Sequence, residues 1–157
     1  MSGATLYVDI DDAKLRAALS RAREALGEAG MQPLLERIGN RLFNSTKARA
    51  EQQIAPDGSA WTALSPRYQR RKAKRYPGRR MLEREGHMLG DRLNYQVLGG
   101  TLLLGTSGKS KRGYPYPVAH QFGRGRVPAR PFLGLSTEDE ADILETVELH
   151  LADAFGG

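Results

Sequence analysis

The chain has 157 residues, with 24 Lys and Arg against 18 Asp and Glu, a net charge of +6 and no cysteine. That length suits one domain, 1–157, able to bury roughly two-thirds of the surface its unfolded chain would expose. The lack of cysteine excludes a disulfide framework and any thiolate metal site, and no apolar stretch approaches the roughly 20 residues of a membrane span.

The opening "MSGATLYVDIDD" has no basic start and no long apolar segment, so it does not read as a secretory signal, and the expected compartment is a bacterial-type cytoplasm. Within it Leu6, Val8 and Ile10 alternate with Tyr7 and Asp9, which predicts a half-buried strand. Asp11 or Asp12 can cap the helix that follows, because a carboxylate there accepts a bond from an unpaired N–H of the first turn. Leu15, Leu19, Ala22 and Leu26 recur at helical spacing, and Gly27 and Gly30 are expected to end that helix. A second helix is predicted over about 31–53, with Leu34, Leu35, Ile38, Leu42 and Phe43 as its apolar stripe.

Pro56-Asp57-Gly58 marks a turn, since Pro fixes φ and Gly tolerates positive φ. Trp61 and Leu64 follow as a short apolar anchor. Ser65-Pro66 is a capping pair that opens a short helix, and Pro77-Gly78 closes it. The region 65–92 is basic and poor in apolar residues apart from Met81, Leu82, Met88 and Leu89, so it is expected to be the least well packed and a mobile part of an isolated subunit. "LNYQVLGGTLLLGT" reads as a hairpin turning at Gly99-Gly100, pairing Leu98 with Thr101, Val97 with Leu102 and Tyr95 with Leu104. The face carrying Tyr95, Val97, Leu102 and Leu104 must pack on helices, because a lone hairpin is marginal. "RPFLGLS" reads as another short strand. Ser136 caps a last helix with Asp139 as its capping-box partner, and Ile143, Leu144, Val147, Leu151 and Phe155 form its stripe. The fold class is α+β: a small antiparallel sheet packed against two or three long helices, without internal repeats.

Charge is unevenly placed. Asp9, Asp11 and Asp12 crowd one end and Glu138, Asp139, Glu140 and Asp142 the other, while 58–82 and 92–137 hold no acid at all. Arg67, Arg70, Arg71, Lys72, Lys74, Arg75, Arg79 and Arg80 form a basic run suited to DNA phosphates or an acidic partner, with Tyr68 and Tyr76 placed to stack on bases. Any such DNA contact would be blind to sequence, and a sequence-independent DNA-binding protein is the alternative functional reading.

Catalytic patterns are missing. His87, His120 and His150 share no metal-binding spacing, and His120 has no nearby acid to orient it as a base. "GTSGKS" (105–110) ends like a phosphate loop, but Leu103 stands where the first glycine is needed. "GRGRVP" starts like a dinucleotide fingerprint, but Pro128 replaces its third glycine. No enzyme activity, cofactor or metal is expected.

"HQFGRGRVPARPFLG" (120–134) reads instead as an assembly joint. Gly123, Gly125 and Pro128 shape an extended segment, Phe122 and Phe132 are expected to seat its ends in apolar pockets, and Arg124, Arg126 and Arg130 to stand out without competing acids. The expected interface is His120, Gln121, Phe122, Gly123, Arg124, Arg126, Pro128, Arg130, Pro131 and Phe132. Opposite charge at the two ends suits head-to-tail contacts between copies, which make rings when they close.

"YPYPVAHQFGRGRVPARPFLGLS" resembles the signature of the phage virion morphogenesis proteins, the tail-completion family of Mu-like and P2-like phages. The matching pieces are Tyr116 to Gly123 and Pro128 to Gly134. "PDGSAWTALSPRYQRRK" and "MLEREGHMLGDRLNYQV" are similar to that family's upstream segments. Tyr114-Pro115 and Pro117 depart from the pattern. The resemblance implies a fold similar to phage neck and tail-completion proteins and a structural, non-enzymatic protein of the virion. It further implies a ring, hexameric by analogy, at the head–tail junction, assembled in the host cytoplasm with other neck and tail proteins and possible non-specific contact with packaged DNA.

Overall fold

A computed structural model describes residues 5–6, 12–83 and 87–156. In chain order they form β1 (Thr5–Leu6), α1 (Ala13–Gln52), α2 (Pro66–Arg75), a π-helical turn (His87–Asp91), β2 (Asn94–Leu98), β3 (Thr101–Ser107), α3 (Tyr116–Phe122) and α4 (Thr137–Phe155). The class is α+β as expected. The sheet order is β1-β3-β2, antiparallel throughout. The rest of the strand expected over 6–10, with Asp9 and Asp11, lies outside the described residues.

Asp12 is the residue that caps α1, its carboxylate accepting from Leu15 N at 3.0 Å. α1 is broken once, at Gly27, whose φ of 73° and ψ of 173° are not helical. Gly30 does not end a helix, contrary to the sequence reading. A helix needs only one glycine with positive φ to break it, and the second segment starts immediately after Gly27 and runs on through Pro33. Leu34, Leu35 and Ile38 are buried on this segment, and α1 packs along α4 and both long strands.

The hairpin has the expected register, Leu98 opposite Thr101, Val97 opposite Leu102 and Tyr95 opposite Leu104. Gly99 and Gly100 both take positive φ, which a two-residue turn of this hand requires. Gly39 of α1 lies against this sheet: a Cβ there would run into the Tyr95 ring and stand 2.8 Å from Leu102. Ser65 caps α2 and Pro66 opens it. Ser136 and Asp139 form a complete capping box on α4.

The core has two parts. One joins Leu15, Ala18, Met31, Leu34 and Ile38 of α1 to Ile143 and Val147 of α4. The other gathers Ala50, Trp61, Met88, Leu89, Leu93, Phe132 and Leu133. Met88 and Leu89 are therefore core residues, although the sequence places them in the least packed region. Phe155, assigned to the stripe of α4, is exposed instead. Between the two parts, Arg49 of α1 donates to Asp139 of α4 at 2.6 Å, with both side chains buried, and also reaches Gly134 O at 3.1 Å.

Candidate assembly site

The segment 120–134 is built inward first and outward second. Its opening residues are helical, not extended: His120, Gln121 and Phe122 close α3, which starts among two tyrosines and two prolines, Tyr114 to Pro117, that mask it in the sequence. Gly123 ends α3 with φ of 78°, and a Cβ there would meet Ala129 N at 3.0 Å, so glycine is required on two counts. A tight reversal follows, in which Arg124 and Val127 exchange backbone bonds of 2.9 Å.

The returning strand-like chain is not a strand. Gln121 replaces the missing neighbour: its Oε1 accepts from Phe132 N and Leu133 N at 3.0 Å, and its Nε2 donates to Leu133 O at 2.9 Å. One amide side chain thus satisfies three buried backbone groups that would otherwise be costly to bury. "RPFLGLS" has the composition of a strand; the partner for its Phe132 and Leu133 N–H groups is a side chain, which composition does not reveal.

Arg130 is also turned inward. It is 5% exposed, donates through Nε to Thr62 O at 2.7 Å and through Nη2 to Ala63 O at 3.1 Å, and its backbone N–H donates to His120 O. Trp61 Nε1 donates to Pro131 O at 2.7 Å. The expectation that Arg130 stands free for a partner is therefore corrected: its guanidinium is the peg that holds the 61–63 segment to the loop.

Phe122 and Phe132 separate in the same way. Phe132 is 1% exposed in the core, whereas Phe122 is 61% exposed and seats in no pocket of its own subunit. Around Phe122 in the chain, Val118 and Val127 are exposed, as are Arg124, Arg126 and Pro128, and Pro131 is half-buried. Arg124 packs its guanidinium 4.9 Å from the centre of the Tyr114 ring, which stiffens it without neutralising it. The outward surface is thus an apolar knuckle flanked by two cations, carried on a loop whose base is fixed by Gln121, Arg130 and Trp61.

His120 is half-buried, and its buried Nδ1 has no hydrogen-bond partner. Burial, then the charges of Arg130 and Lys72, hold its pKa below the ordinary histidine value. Among the described residues, the charges that act on this ring are the cations Arg130 and Lys72, not a carboxylate that would orient it as a general base. Among the described residues no three His, Cys, Asp or Glu side chains converge as metal ligands would, and no helix is long and apolar enough to cross a membrane.

The basic run divides. Arg67, Arg70, Arg71, Lys74, Arg75 and Arg79 are exposed on or just after α2. Lys72 is 5% exposed and its Nζ donates to Arg80 O, so it faces the body of the subunit, contrary to its grouping with the outer cations. Arg80 itself pairs with Glu83 at 3.7 Å. Arg71 lies over the Tyr68 ring at 5.4 Å and Arg75 over the Tyr76 ring at 5.7 Å, so a guanidinium already occupies one face of each ring that the sequence offers for stacking on bases.

Residues 10–152 match the phage virion morphogenesis family. A 41-residue stretch is 56% identical to the Mu-like prophage FluMu G protein 2 of Haemophilus influenzae, covering 22% of this chain and 30% of that protein. The chain therefore spans less than a third of that relative in the match. No solved structure matches.

Proposed function

The chain belongs to the phage virion morphogenesis family, and from that premise we propose that it is a structural subunit of a tailed phage or prophage that completes the tail and joins it to the head. Its subunits associate head to tail, as a ring at the neck, and contact other neck and tail proteins there. Assembly takes place in the host cytoplasm. The role is mechanical, and no chemical turnover belongs to it.

The observation that carries this reading is the knuckle of Phe122, Val118 and Val127 between Arg124 and Arg126, exposed on a rigidly built loop. Aromatic and Arg side chains are the types enriched at interfaces, and a prefixed loop loses little conformational entropy on docking. A complementary surface exists on the same chain: α4 presents Glu138, Glu145 and Leu149 outward along one stripe. Two different patches on one molecule make a heterologous contact, and such contacts close into rings when the rotation allows.

Reversing Arg124 and Arg126 to Glu in a phage or prophage that carries this gene is the test. Free heads and free tails in place of complete particles are expected, with normal amounts of soluble subunit. Arg130 is left unchanged because it serves the subunit's own fold. Normal yields of complete particles from the double variant would refute the joint.

A further inference from the structure

We propose that the outer face of α2 binds the phosphate backbone of duplex DNA without regard to sequence. Arg67, Arg70, Arg71 and Lys74 fall at i, i+3, i+4 and i+7, so they share one stripe of the helix. All four are exposed. The opposite side, with buried Lys72 and half-buried Tyr68 and Tyr76, faces the subunit. The stripe is therefore held outward by the fold and is not a run of cations sampling all directions.

Two features select the partner. Arg67, Arg70 and Lys74 form no ion pair with any carboxylate among the described residues, and Arg71 meets only the Tyr68 ring. Nothing apolar stands among them to serve as the centre of a protein–protein interface, where charged residues are depleted. A phosphate backbone needs no such centre. Arg71 and Arg75 each occupy one face of the half-buried Tyr68 and Tyr76 rings, which reduces the stacking platform that a single strand would use. An exposed row of cations meets a duplex through its phosphates, contacts that carry no sequence information. This inference stands apart from the head-to-tail joint, which uses Arg124 and Arg126 on a different loop.

The experiment is a salt titration of the full chain against a labelled duplex of random sequence. Four phosphates neutralised predict a slope of log K against log salt of about −3.6, and so a loss of about 150-fold in affinity between 50 and 200 mM salt. A second, unrelated duplex should give the same values. Changing Arg67, Arg70, Arg71 and Lys74 together to Gln should remove most of the slope, while the Arg124→Glu, Arg126→Glu double variant should retain it. Should the fourfold variant lose its native circular dichroism, single Arg70→Gln and Lys74→Gln variants each lower the slope by about 0.9. A slope unchanged by these substitutions overturns the proposal. So does tighter binding to polyglutamate than to duplex, which would assign the stripe to an acidic protein.

Discussion

The two phenylalanines of one motif have opposite fates. Phe132 fills the core beside Trp61 and Leu133, so Phe132→Ala should cost about 3–5 kcal/mol and lower the melting temperature sharply. Phe122 touches solvent, so Phe122→Ala should change stability by no more than about 0.5 kcal/mol and yet impair particle assembly. Thermal melting of the two variants separates these outcomes; equal destabilisation would mean Phe122 is core after all. His120 supplies a pH signature. Its folded-state pKa is depressed, by burial first and by Arg130 and Lys72 next. The unfolded chain then takes up the proton at higher pH than the folded one. The group opposes folding only once pH falls through the ordinary histidine value of about 6.5 toward the lower folded value. Wild type should therefore lose more stability between about pH 7.5 and pH 5.5 than His120→Asn does. Parallel stability–pH curves for the two would show that His120 does not titrate differently on folding.

At the scale of elements, the joints between helices decide stability more than the helices themselves. Arg49 and Asp139 tie α1 to α4 in a buried pair, and Asp139 also closes the capping box with Ser136. Asp139→Ala leaves an uncompensated buried guanidinium, and a loss of about 3–5 kcal/mol is expected by denaturant melting. The exposed Arg41–Asp142 pair joins the same helices, yet its removal should cost at most about 1 kcal/mol, because water competes for both charges. Gly39→Ala sets helix propensity, worth about 1 kcal/mol in favour, against a Cβ forced into Leu102 and Tyr95, where overpacking costs about 1–3 kcal/mol. Destabilisation should win. Elements whose partners are local were legible in the sequence: the hairpin from its period of two and its two glycines, and the caps of α2 and α4 from Ser-Pro and Ser-x-x-Asp. What depends on distant side chains was not legible. The 131–136 segment pairs with Gln121, and Arg130 answers to carbonyls of residues 62 and 63. The knuckle was legible only as a motif, because the same letters specify an inward Arg130 and an outward Arg126, and only the backbone path separates them.

The whole molecule is polarised, with a cation-flanked apolar knuckle on one surface and an acidic, Leu149-bearing stripe of α4 on another. Paired across two copies, these surfaces predict a charge-swap rescue. Arg124→Glu with Arg126→Glu brings like charges together where the joint excludes water, which can cost several kcal/mol of association. Glu138→Lys with Glu145→Lys does the same from the other side. Each double variant alone should sediment as a smaller species than wild type, with unchanged melting behaviour, since exposed charges contribute little to folding. A mixture of the two double variants should recover the larger assembly, because alternating copies meet acid to base at every joint: the reversed knuckle on the reversed stripe, and the unchanged knuckle on the unchanged stripe. Combining all four changes in one chain restores opposite charges at every joint, and the larger assembly should return. Restoration by the fourfold chain identifies the partner of the knuckle as a second copy. If the fourfold chain stays small while a virion protein with acid-to-base changes rescues Arg124→Glu, Arg126→Glu particles, the knuckle docks on that protein and the copy-to-copy joint is wrong.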